Sequence, residues 1–145
     1  MAYYEDLSRY GYFTETIPPG ISAACVGWLD PAHDHPTGDP DSAFADRLFA
    51  LTRDHRSAVT TSWHGCRLCP RRLFGTGGRP YPVKVSRRGE EILVGHGELR
   101  LRSAAPGTWL IAPDLVVHYV TAHRYAPPAA FVEAVMAGRV VAHSL

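Results

Sequence analysis

Two pairs of metal-ligating residues, far apart in the chain, constrain its fold more than any other feature. Cys66-x2-Cys69 offers two thiolates from one tight turn, and His118-x4-His123 offers two imidazoles. Zinc takes four such ligands in a tetrahedron. If one ion takes all four, the knuckle must lie against a segment from the last third of the chain. Gly65 and Pro70 bracket that knuckle, and its backbone N–H groups can face the sulfurs. The histidine spacing makes its own demand. Residues five apart on a continuous helix point about 140° apart. The helix must therefore distort or end between or just after His118 and His123. Pro127, shortly beyond, marks where helix fails.

Other readings of these residues stay open. Cys66 and Cys69 have the spacing of a redox pair as well as of a metal knuckle. His118 can be a satisfied core histidine beside Val117 and Tyr119. His64, two residues before Cys66, decides the class of ion. As a ligand in place of a distant histidine, it would leave an open position of the catalytic kind. As a hydrogen-bond partner behind a ligand, it leaves a closed, structural ion.

His33 and His35 form a second cluster, in Asp30-Pro31-Ala32-His33-Asp34-His35-Pro36. An extended His-x-His places both rings on one side, where they could bind metal or supply a general base. The plainer reading, which we favour, is a polar surface loop. His96, between two glycines, marks a bulge or turn. His55 and His143 read as helix-end and tail residues. Gly75-Thr76-Gly77-Gly78 lacks the lysine and following helix of a phosphate loop. There is no HExxH and no nucleophile elbow.

The chain's 145 residues suit one domain, 1–145. That size buries roughly 70% of the unfolded surface, enough for a core without metal or disulfides. Net charge is +1, so nothing favours nucleic acid or an anionic membrane. No segment approaches the ~18 apolar residues of a membrane span, and the N-terminus lacks a signal-peptide layout. The expected location is the cytoplasm. Three cysteines cannot all pair with one another. Cys25, in Ala23-Ala24-Cys25-Val26, reads as a buried small hydrophobe.

Periodicity predicts an α+β fold: a small antiparallel sheet, about three helices and a zinc knuckle. Asp41 is a plausible N-cap for a helix over 42–54, with Phe44, Leu48 and Leu51 on its apolar face. Short strands are expected at 21–29, 59–63, 83–86, 92–94 and 108–111. Residues 98–102 alternate polar and apolar, as a half-exposed strand does. Residues 71–82 read as a Gly- and Arg-rich loop. Pro113 suits the first turn of a helix. Two C-terminal helices are split by Pro127-Pro128, and Gly138 caps the second. Knuckle, hairpin and helix in this order resemble a treble-clef zinc site.

The ordered motifs carry a family resemblance over roughly residues 3–136. They are Val26-Gly27-Trp28-Leu29-Asp30 with His33 and Pro36-Thr37-Gly38; Trp63-His64-x-Cys66-x2-Cys69; Gly97-Glu98-Leu99-Arg100; and Ala112-Pro113-x-Leu115-x2-His118-Tyr119-Val120-x2-His123-x-Tyr125-x-Pro127-Pro128-x2-Phe131. Together they resemble a family of small bacterial proteins of unknown function, of the kind common in actinomycetes. The resemblance implies that His33, His64, Cys66, Cys69, His118 and His123 belong to the family pattern, and that His35 and His96 depart from it. It implies a metal site without choosing between a structural and a catalytic ion.

Three functions are weighed. The first is a zinc-stabilised binding or accessory module, closed by Cys66, Cys69, His118 and His123, for a protein or small molecule not yet named. The second is a zinc-dependent, hydrolase-like enzyme with an open position near His64 and His33, where Asp30, Asp34 or Asp114 would orient a histidine or take a proton. The third is a redox dithiol. The first is the expectation carried forward.

Overall fold

The computed structural model describes residues 2–69 and 82–141. Helix α1 (Ser42–His55) begins where its cap dictates: Asp41 Oδ1 accepts the Phe44 N–H at 3.1 Å. Phe44, Ala45, Leu48, Phe49 and Leu51 are buried on one side, while the charged residues face out. A cap of this kind contributes about 1 kcal/mol. Asp41→Ala is therefore expected to lower the urea midpoint by that amount with an unchanged m-value, the signature of lost stability without a change in exposed surface.

Strands β2 (Val83–Arg87) and β3 (Glu90–Val94) form the expected hairpin, antiparallel from Val83↔Val94 to Arg87↔Glu90. Its two turn residues, Arg88 and Gly89, both have positive φ, 49° and 82°. That pairing matches the twist of the strands in a two-residue turn. Asp46 of α1 reaches both Arg87 (2.7 Å) and Arg88 (2.6 Å), so helix and turn are fastened together.

The remaining strands are β1 (Ser22–Cys25), β4 (Glu98–Arg102) and β5 (Thr108–Pro113), in the order β1-β5-β4. Here the expectation of an antiparallel sheet is corrected. β4 runs antiparallel to β5, but β1 runs parallel to it, so the sheet is mixed. β1 is also shorter than 21–29. Gly27 takes φ 76°, and its N–H turns away to the Asp6 carboxylate. Both edges of the sheet are covered. Residues 4–10 bond along β1 through Leu7 N–H to Cys25 O and Tyr10 N–H to Ala23 O. Val140 and Val141 do the same along β4. An edge paired in this way is no template for aggregation.

β4 differs from a half-exposed strand. Its polar members Glu98 and Arg100 are 3% and 4% exposed and bond each other inside. Residues 59–63 form no strand. That segment is held to the turn after β3 by Thr60 N–H to His96 O (2.8 Å) and His64 N–H to Gly95 O (2.6 Å). Pro113 closes β5 rather than opening a helix, because Asp114 N–H continues the pairing to Gly97 O. Helix α2 (Val116–His123) follows, then α3 (Ala129–Ala137), split by the two prolines as expected. Gly138 at φ 70° caps α3, and Arg139 N–H reaches back to Ala134 O in a Schellman arrangement.

The main core gathers Leu48, Leu99, Leu101, Val116, Val117, Tyr119, Phe131 and their neighbours from all three helices and both sheets. A smaller cluster of Tyr10, Cys25, Trp28 and Ile111 lies beneath the N-terminal segment. Cys25 is fully buried there, as its apolar context implies. The expected 71–82 loop lies almost wholly outside the described residues, as do Pro70 and His143. Among the described residues, no helix is long and apolar enough to cross a membrane.

Candidate metal centre

The knuckle and α2 meet as the spacing demands. One ligand atom each from Cys66, Cys69, His118 and His123 lies within 4.8 Å of the other three. Cys66 Sγ is 3.3 Å from His123 Nε2, Cys69 Sγ is 3.4 Å from His118 Nε2, and Cys69 Sγ is 3.5 Å from His123 Nε2. A tetrahedron with bonds of about 2.3 Å to sulfur and 2.0–2.1 Å to nitrogen has S···N edges of about 3.5 Å. The three contacts match such edges. Both sulfurs and both Nε2 atoms carry lone pairs, so all four can be directed at one cation placed among them. The donor set therefore fits one divalent cation of the zinc class.

Local structure explains how each donor gets there. The knuckle turns its Leu68 and Cys69 amides toward the Cys66 sulfur. Such donors favour the thiolate form. On α2, the expected end falls just after the second histidine: the helix runs unbroken through His123 and stops at Arg124. Two features bring the rings together. Thr121 Oγ1 donates to Val117 O at 2.8 Å, a back-bond that bends helices. Arg124, left-handed at φ 57°, sends its N–H back five residues to Tyr119 O instead of four. That wider last turn offsets part of the angle separating residues five apart. The ring centroids of His118 and His123 end 5.0 Å apart.

The electrostatics suit a bound cation. Burial, then neighbouring His123, pushes His118 down to about 4. Its imidazole is thus neutral at neutral pH, the form that ligates metal. Burial, then Cys69, pushes the Cys66 thiol up to about 12. A coordinated cation overcomes that penalty by deprotonating the thiol outright.

The other sequence candidates lie elsewhere. His33 stacks on Tyr3 at 3.8 Å with the rings nearly parallel, and its Nδ1 sits 2.7 Å from Asp30 Oδ1. Asp30 thus orients a histidine, as one of the expected acids. His35 meets the Tyr125 ring edge-on at 6.0 Å. Both histidines line an open groove with Asp34, Thr37 and Leu68 of the knuckle. His64 is not among the four converging donors. It lines a separate cavity with His96, Glu98 and Asp114. His96 was read only as a turn marker, and the one signal that could have flagged it was a histidine set between two glycines. Gly95 is required there: at φ 119°, a Cβ would collide with the His64 carbonyl oxygen.

No curated protein and no solved structure matches the chain. One family model does, over residues 2–136, described as Domain of unknown function (DUF7919). With nearly its whole length matched, the chain belongs to the DUF7919 family.

Proposed function

We propose that this chain is a single zinc-binding domain, 1–145, whose ion is closed by Cys66, Cys69, His118 and His123 and is mainly structural. The observation that carries the proposal is the set of S···N separations, 3.3–3.5 Å, at the edges of a tetrahedral site. Four protein ligands leave no position for substrate. A catalytic ion would need His64 or His33 in place of one of them. His64 faces the neighbouring cavity, and His33 is held by Asp30 and Tyr3.

In this reading the knuckle, the β2–β3 hairpin and α2 form a treble-clef-like unit. The ion fastens the knuckle to the core through α2, whose Val116, Val117, Tyr119 and Val120 are buried. Through His64, the knuckle also fixes the segment before it against Gly95. The domain then acts as a cytoplasmic binding or accessory module for a protein or small molecule, with no nucleic acid partner.

Metal analysis of the purified chain tests this. We expect one zinc per chain, lost on Cys66→Ser and on His118→Ala but retained on His64→Ala. Purified protein without stoichiometric metal would sink the reading. Loss of the metal in the His64 variant would move the ion to the open, catalytic class.

A further inference from the structure

The cavity that takes up His64 is unrelated to the metal ligands and has a chemistry of its own. Its walls are aromatic: Tyr4, Tyr12, Phe13 and Trp28. Tyr4 and Tyr12 meet Trp28 edge-on at 5.5 and 6.4 Å, and Tyr12 packs on Phe13 at 4.2 Å. The Trp28 indole N–H is already spent on Ile111 O, at 2.9 Å. The ring therefore presents π surface and no donor to the space beside it.

The floor is polar and incompletely satisfied. Asp114 is 1% exposed. Its Oδ1 accepts the Gly95 N–H at 2.8 Å. Its Oδ2 accepts long bonds from Arg56 at 3.4 Å and the His96 N–H at 3.5 Å, the Gly97 amide also faces the carboxylate, and His96 Nδ1 lies 3.8 Å away. The same Arg56 nitrogen donates to the Leu93 carbonyl. His96 Nδ1 is itself buried without a hydrogen-bond partner among the described residues. Its ring is held from the other side by Trp63, at 3.7 Å. Buried polar atoms are nearly always paired, so the unpaired His96 Nδ1, beside a carboxylate oxygen held only by long bonds, calls for a further group.

The charge of that group follows from the lining. Among the described residues, no lysine or arginine lines the cavity, while two carboxylates do. Glu98 is engaged by Arg100 and Tyr10 at 2.6–3.0 Å, whereas Asp114 meets Arg56 only at 3.4 Å, so Asp114 carries the less neutralised charge. An anion would face these carboxylates with no described lysine or arginine lining the cavity to offset them. A neutral apolar molecule would leave Asp114 Oδ2 and His96 unsatisfied. An ammonium group supplies donors only, and aromatic faces attract it as well. The cavity holds about 100 Å³, less than the ~150 Å³ that takes up benzene. We propose that this cavity binds a short aliphatic primary amine, its ammonium on Asp114 and its alkyl chain against the aromatic wall. The proposal is independent of zinc.

The test titrates the chain as purified with propylammonium, propanol and propionate at constant ionic strength, following the Trp28 indole and His96 ring signals by NMR. Saturable shifts with propylammonium are expected, with propanol on the order of tenfold weaker or more, as a desolvated cation–π contact and a charge-assisted bond imply. Asp114→Asn should abolish the preference for the amine over the alcohol. Because Asp114 also holds a loop amide, Tyr12→Ala provides a second variant at a half-exposed wall position, expected to weaken the amine severalfold in a folded protein. Equal binding of propanol, tighter binding of propionate, or no saturable shift with the amine would each overturn the proposal. So would Tyr12→Ala binding the amine as the parent does.

Discussion

With zinc in the proposed site, chelating it is expected to lower the thermal midpoint by on the order of 10 °C without collapsing the fold. A ligand present at 1,000 times its Kd stabilises by about 4 kcal/mol. Each kcal/mol moves the midpoint of a protein this size by roughly 2–4 °C. The loss stops short of complete unfolding because α2 does not depend on the ion alone. Val116, Val117, Tyr119 and Val120 are at most 1% exposed, packed in the main core. The knuckle has far less behind it. The segment before it is held to the body by Thr60 N–H to His96 O and His64 N–H to Gly95 O. Chelation should therefore raise hydrogen exchange first across residues 59–69, with α1 and α3 protected until the global transition. In Cys66→Ser, which already lacks the site, chelator should add nothing, since two changes to one site are not additive. An unchanged midpoint after full removal of metal would show that the ion does not support the fold. Unfolding at room temperature would show that the core cannot stand without it.

What could be read from the sequence was what is local. The Asp41 cap and the Phe44, Leu48 and Leu51 period placed α1 within one residue of its observed end. Positive-φ demands at Gly89 and Gly138 marked a hairpin and a helix end. The Cys66-Cys69 and His118-His123 pairs were legible because metal chemistry restricts both residue type and spacing. Features that depend on distant partners were not legible. Nothing within Ser22–Cys25 signals that it pairs with Thr108–Ile111, or in parallel. The alternation of 98–102 correctly marked a strand but not its burial, since Glu98 and Arg100 neutralise each other out of solvent. The helix end just after His123 was expected from the spacing, but the back-bonded Thr121 and the five-residue cap that shape it were not legible. His96 was legible only as a turn marker and Asp114 only as a candidate acid: they lie 18 positions apart, and the β4–β5 pairing brings them together.

Glu98→Ala is expected to destabilise the chain by about 3–5 kcal/mol, the cost of leaving a buried charge without its partner. Arg100 sends two bonds to Glu98 Oε1, at 3.0 and 2.8 Å, and Tyr10 Oη donates to Oε2 at 2.6 Å. With the carboxylate gone, a guanidinium 4% exposed keeps only a 3.5 Å contact to the Tyr10 hydroxyl and a position 5.8 Å from its ring centroid. Tyr10→Phe removes one hydrogen bond and leaves the ion pair, so about 1 kcal/mol is expected. Replacing both charges, Glu98→Leu with Arg100→Met, should recover much of the loss, because the desolvation cost disappears with the attraction. Urea unfolding of the four proteins checks the order. A Glu98→Ala chain as stable as the parent would mean that solvent reaches the pair. The effect extends to the proposed amine cavity. Tyr10 Oη also accepts the Phe13 N–H at 3.0 Å, so the Glu98–Tyr10 bond ties the segment carrying Tyr12 and Phe13 to β4. Loosening that tie frees the aromatic wall while Asp114 stays in place. Glu98→Ala should therefore weaken propylammonium at temperatures where the protein is still folded, and Tyr10→Phe should do so to a smaller degree.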